Sequence, residues 1–96
     1  MVIQIFTCEV KEGMMEKAIE IIKELVSKVR EAEPGCIQYV AHTVKGRKNE
    51  NTIIFYENYE DYKALRAHLK NVRTMLAKLL PLCEPGLDTK TCFEII

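Results

Sequence analysis

The sequence lacks most of the marks by which small proteins declare their chemistry. Its fourteen Lys and Arg are balanced by fourteen Asp and Glu, so no excess of positive charge points to a nucleic-acid surface. No apolar run approaches the roughly 20 residues of a membrane span. The opening MVIQIFTCEVKEG has no basic leader and no small-residue cleavage site, so it does not read as a signal peptide, and a cytoplasmic location is expected. There is no Gly-rich phosphate loop, no nucleophile elbow and no dinucleotide fingerprint, so neither a nucleotide nor a flavin is expected as a cofactor. The four cysteines, Cys8, Cys36, Cys83 and Cys92, form no CxxC pair and have no histidine at zinc-finger spacing. They read as reduced thiols packed like small apolar residues, although their even number leaves a disulfide open. No metal is expected.

What is present is ordinary for a globular chain. At 96 residues, 48% hydrophobic and 29% charged, the sequence suits a single domain over 1–96. The β-rich VIQIFTCEV (2–10) predicts a first strand, broken by Lys11, Glu12 and Gly13. A helix is expected from about Met14 to Ala32, because Ala18, Ile21, Ile22, Leu25 and Val29 recur on one face. Glu16, Lys17, Lys23, Glu24, Lys28 and Arg30 fall largely away from that stripe and read as a solvated face. Glu33-Pro34-Gly35 ends the helix. CIQYVAHTV (36–44) and TIIFYENY (52–59) are the second and third strands, separated by the polar KGRKNEN (45–51). A short helix over about 60–69 follows. Asn71 is expected to cap another, with Val72, Met75, Leu76, Leu79 and Leu80 as its stripe. LDTKTCFEI (87–95) is the last strand.

The order β-α-β-β-α-β is the split, ferredoxin-like α+β arrangement with a four-stranded antiparallel sheet. Right-handed crossovers place both helical regions on one face of the sheet and leave the other bare. Yet the strands are apolar on both parities. Ile53 and Phe55 oppose Ile54 and Tyr56, and Ile37 and Tyr39 oppose Val40 and Val44. A sheet facing water alternates more cleanly. The bare face is therefore expected to meet a second copy, giving a two-fold homodimer.

EPGCIQY (33–39), FYENYED (55–61) and ALRAHL (64–69), in this order, resemble the antibiotic biosynthesis monooxygenase domain across nearly the whole chain. The resemblance implies a ferredoxin-like fold and a dimer of the dimeric α/β barrel type. It also implies a small-molecule substrate. Some members of that family oxygenate phenols or quinols with dioxygen and without metal or flavin. Others degrade haem, and one branch processes a phosphorylated signalling sugar. Fold alone does not choose among them.

His68 matches the family's helix histidine. On a helix it sits beside the Tyr62–Leu65–Leu69 stripe, at the edge of the buried face, where an imidazole can take a phenolic proton or hold an oxyanion. The alternative is a boundary histidine that only packs. Relatives often carry a second histidine in a pattern like HLxxPH; here Val72 replaces the proline and Arg73 the histidine. Arg73 is then a candidate partner for an anionic substrate or an exposed helix arginine. Tyr59 stands where many relatives have tryptophan. With Tyr39 it is a candidate cavity aromatic, able to stack on a planar substrate. Glu57, between Phe55 and Tyr59 on one strand face, needs a partner if buried, either His68 or a basic group from a second copy. Haem-degrading relatives use a first-strand asparagine, near whose place Phe6 or Thr7 stands, a tryptophan that this chain lacks, and a ligating helix histidine, the one feature that remains. Phe6 is kept as a substrate contact. His42 reads as dimer-interface or strand-end packing and could pair with His68 at a metal only if the fold brought them together.

The function expected from the residues and the resemblance is cofactor-independent monooxygenation of a quinol or polycyclic phenol, with His68 catalytic. Two alternatives stand beside it. One is an isomerase of a small polar or phosphorylated metabolite, which needs Arg66 or Arg73 at the pocket. The other is a non-catalytic ligand-binding or stress-response dimer.

Overall fold

The computed structural model describes residues 1–96. Its elements are β1 (Val2–Glu9), α1 (Met15–Ala32), β2 (Cys36–Thr43), β3 (Thr52–Tyr59), α2 (Tyr62–Asn71), α3 (Arg73–Leu79) and β4 (Asp88–Phe93). Short 3-10 turns at Arg47–Asn49 and Leu80–Leu82 complete the chain. The four strands form one sheet in the order β2-β3-β1-β4, with every neighbouring pair antiparallel. The ferredoxin-like α+β fold read from the sequence is the fold observed. No helix is long and apolar enough to cross a membrane.

Gly13, at φ 81°, makes the left-handed turn that reverses the chain from β1 into α1. Ala18, Ile22, Leu25 and Val29 then form the buried stripe of α1, while its Lys and Glu side chains stay exposed. On the sheet they meet Cys8, Tyr39, Ile53 and Phe55, joined by Val72, Met75 and Leu79 from the second helical region. A smaller cluster of Val2, Tyr59 and Leu65 lies beside this core. His68 touches a member of each cluster, Tyr39 and Tyr59, and Cys36 packs against both.

Two local features differ from simple periodicity. The register of β2 against β3 jumps between Cys36, opposite Tyr59, and Gln38, opposite Asn58. Ile37 is the extra residue of a β-bulge and is 54% exposed. Alternation put Ile37 and Tyr39 on one face; the bulge separates them and turns Tyr39 inward, opposite Glu57.

The second difference is the buried stripe of α2. Tyr62 and Leu69 are 49% and 45% exposed, whereas His68 is 3% exposed. The reason is that α2 does not end its hydrogen-bonding at its break. The backbone N–H of Val72 donates to the His68 carbonyl at 3.0 Å, so one face runs through both helices as Leu65, His68, Val72, Met75 and Leu79. At about 100° per residue, His68 is within about 20° of the centre of that face, and Leu69 is about 80° off it. His68 is therefore a core residue and not an edge residue. Asn71 is the last residue of α2 and does not cap α3; Val72 stands at the junction. The N-terminus of α2 is capped by Asp61, whose carboxylate accepts from the Ala64 N–H at 2.8 Å. Leu80, included in the expected α3 stripe, is 40% exposed.

The face of the sheet away from the helices carries Ile3, Ile5, Val40, Ile54 and Tyr56, all half-buried. Asn58 also points there, and its side-chain oxygen is buried without a hydrogen-bond partner.

Candidate functional site

The polar row between the two apolar clusters is built from three parts of the chain. Glu33 is the C-cap of α1, Glu57 and Tyr59 are inward residues of β3, and His68 is on the inner face of α2. Both oxygens of Glu33 face His68 Nδ1, at 2.9 and 3.1 Å. A carboxylate can only accept there, so the imidazole carries its proton on Nδ1. Asn71 Nδ2 donates to Glu33 Oε2 at 2.7 Å. On the other side of the ring, His68 Nε2 faces Glu57 Oε1 at 3.6 Å, longer than a direct hydrogen bond. The Tyr59 hydroxyl donates to that same oxygen at 2.6 Å. The rings of Tyr39 and Tyr59 flank the imidazole, with centroids 5.0 and 5.2 Å from it.

Burial sets the protonation of the row. Glu57 is 2% exposed, and its carboxyl is pushed up to about 7 by burial, against the opposing hydrogen bond from Tyr59 and with the Glu33 charge adding. Burial pulls the His68 imidazole below its ordinary value, while the nearby Glu33 carboxylate opposes that shift. The Tyr59 and Tyr39 hydroxyls are pushed above the usual phenol range by burial and then by Glu57, so both remain proton donors. Cys36 beside them is raised to about 11, by burial and by the charges of Glu33 and Glu57. An unprotonated imidazole nitrogen thus stands next to a carboxyl poised near neutrality. That is an arrangement suited to taking and returning one proton.

The structure brings four of the six expected site residues together: His68, Glu57, Tyr59 and Tyr39. Phe6 lies one ring further along, 5.5 Å from Phe55, which in turn is 5.8 Å from Tyr39. Arg73 is exposed at the start of α3 and makes no hydrogen bond or ion pair, so it stands outside the row. Arg66 lies over the exposed Tyr62 ring at 5.4 Å. His42 is on the opposite face of the sheet from His68, where its Nδ1–H donates to the Ile54 carbonyl at 3.3 Å. The two histidines do not meet.

Glu33 and Asn71 were missed by sequence reasoning. The signal for Glu33 was there. An acidic residue closing an 18-residue helix meets the negative end of the dipole, which is locally unfavourable and calls for a tertiary partner.

The row is closed. His68, Glu57 and Tyr59 line none of the five principal cavities. Tyr39 does line one, a cavity of about 410 Å³ at the β2 bulge that it shares with Arg30, Cys36, Ile37, Gln38 and Val40. On the α1–α2 side, Glu33, Cys36 and Asn71 line another of about 470 Å³.

No curated protein is significantly similar to the chain. Among solved structures, an antibiotic biosynthesis monooxygenase superposes with a TM-score of 0.87 at 19% identity, each chain covered over 100% of its length. A conserved protein from Methanosarcina mazei Go1 gives 0.82 at 17% identity, covering 95% of this chain and 90% of that one. A conserved protein of unknown function from Bacteroides thetaiotaomicron, described as a possible oxidoreductase, gives 0.79 at 26% identity over 95% and 93%. The first two, at their low identities, establish the fold alone. The model of the family described as "Antibiotic biosynthesis monooxygenase" matches residues 1–73. The chain belongs to the antibiotic biosynthesis monooxygenase family.

Proposed function

We propose that the protein is a monooxygenase that oxidises a quinol or polycyclic phenol with dioxygen, the substrate itself supplying the electrons. The observation that carries this reading is the buried pairing of His68 Nε2 with Glu57 between the rings of Tyr39 and Tyr59. A phenol reacts with oxygen far more readily as its anion. His68 would take the hydroxyl proton, and the imidazolium so formed would hold the phenolate beside it, shielded from water. For an anthrone-type substrate the balance closes without any other reductant. A ring CH₂ becomes C=O, one oxygen atom enters the product, and the other leaves as water with the two hydrogens. The aromatic walls suit a flat substrate. Tyr39 flanks the His68 imidazole and also lines the cavity at the β2 bulge, the side from which a substrate would approach.

The bare sheet face, with its half-buried isoleucines and tyrosine, is the surface on which a second copy would close the dimer.

Oxygen uptake with a panel of reduced quinols and anthrones tests the activity, with His68→Ala alongside. Uptake that requires both the protein and His68 is the expected result. Absence of uptake with every substrate, or equal uptake by a folded His68→Ala variant, overturns the reading.

A further inference from the structure

Glu33 has no part in the chemistry just proposed, yet it is the most firmly held member of the row. Its side chain is 9% exposed. His68 donates to it through Nδ1, and Asn71 donates to it from the next turn of α2. Its own backbone N–H is bonded to the Val29 carbonyl at 3.0 Å, so the carboxylate hangs from the last ordered turn of α1. The geometry is directional. Glu33 meets the ring nitrogen that faces away from Glu57, while Nε2 is left with its lone pair toward the interior.

We propose that Glu33 is a positioning residue: it holds His68 in the Nδ1–H tautomer, keeps Nε2 basic and aimed at Glu57, and stabilises the imidazolium that forms when Nε2 takes a proton. Asn71 orients the carboxylate by binding its second oxygen. The role is that of the carboxylate behind the imidazole in hydrolytic triads, reached here from a helix C-cap. Without an acceptor at Nδ1, the ring would gain more by moving its proton to Nε2 and donating to Glu57. The base would then be lost without any loss of contact. The charged and titratable groups around the ring are Glu33 at the end of α1, Cys36 and Tyr39 from β2, and Glu57 and Tyr59 from β3. Of these, Glu33 is the one bonded to the imidazole.

The proposal rests on the oxygenase reading for its kinetic consequence but not for the tautomer, so the two can fail separately. Long-range proton–nitrogen NMR on the full chain reads the His68 tautomer directly. Wild type is expected as Nδ1–H, Glu33→Leu as Nε2–H. Glu33→Gln keeps an acceptor but loses the charge. It is expected to keep the Nδ1–H tautomer while the His68 pKa falls by about one unit or more. With a substrate from the oxygen-uptake panel, Glu33→Gln should lower kcat by about tenfold or more with KM nearly unchanged. An Nε2–H ring in wild type overturns the proposal. So does an unchanged His68 pKa in Glu33→Gln, which remains decisive if Glu33→Leu fails to fold. If wild type consumes no oxygen with any substrate, the proposed activity falls, and the tautomer and pKa of His68 still decide the role of Glu33.

Discussion

Replacing Glu57 by glutamine should stabilise the protein, and by an amount that depends on pH. The ordinary value of the carboxyl, 4.5, rises to about 7 in the fold, so the native state holds this proton more tightly than the unfolded chain does. A raised carboxyl pKa makes stability fall as pH climbs from the unfolded value to the folded one and stay low above it. From those two values the ionisation of Glu57 costs about 3 kcal/mol at pH 8, and about 2.5 kcal/mol of that is incurred between pH 5 and pH 8. His68 gives no relief there. Its lowered pKa keeps it neutral over the upper part of that range, and its own contribution is lost in the other direction, as pH falls below the ordinary imidazole value. The introduced glutamine fits the site without ionising: its carbonyl oxygen takes the place of Glu57 Oε1 and accepts from Tyr59. Urea denaturation of both proteins at pH 5 and pH 8, at one protein concentration, measures the effect. The stability difference between Glu57→Gln and wild type should grow by about 2.5 kcal/mol in favour of the variant over that interval. A difference that stays constant with pH would refute the argument, because it would mean that Glu57 titrates alike in the folded and unfolded chains.

Three further outcomes are expected. Gly35→Ala puts a Cβ 2.8 Å from the Ala64 Cβ and should cost about 1–3 kcal/mol; adding Ala64→Gly should recover part of it, and strict additivity in a double-mutant denaturation cycle would rule the contact out. Asp61→Ala removes the cap of α2 and should cost about 1 kcal/mol in chemical denaturation, whereas an unchanged midpoint would show that α2 is held by packing alone. Ile54→Lys places a charge in the middle of the bare sheet face; light scattering at micromolar concentration should give twice the chain mass for wild type and the chain mass for the variant, and a monomeric wild type would end the dimer argument.

The order of elements, the bounds of β3, the stripe of α1 and the two-sided character of the strands were legible in the residues, because each depends on local spacing: period two in strands, three to four in helices. The histidine on the second helical region was legible as a candidate, together with its aromatic company, from the motifs around it. What the one-dimensional pattern did not contain was the depth of His68. The segment 62–71 taken alone has its apolar centre near Leu65 and Leu69, and only the continuation of the hydrogen-bond ladder through Val72 turns the face to His68. Nor did it contain the bulge at Ile37, a register event between two strands that reverses the direction of Tyr39. The hydrogen-bond partner of His68 belongs to the same class. Glu33 is 35 residues from His68 in the chain, and their contact exists because α1 ends where α2 crosses the sheet. Local sequence thus determined which elements form and which faces are apolar. Tertiary structure decided which polar groups those faces enclose, because a buried charge takes its partner from whichever element the fold lays against it.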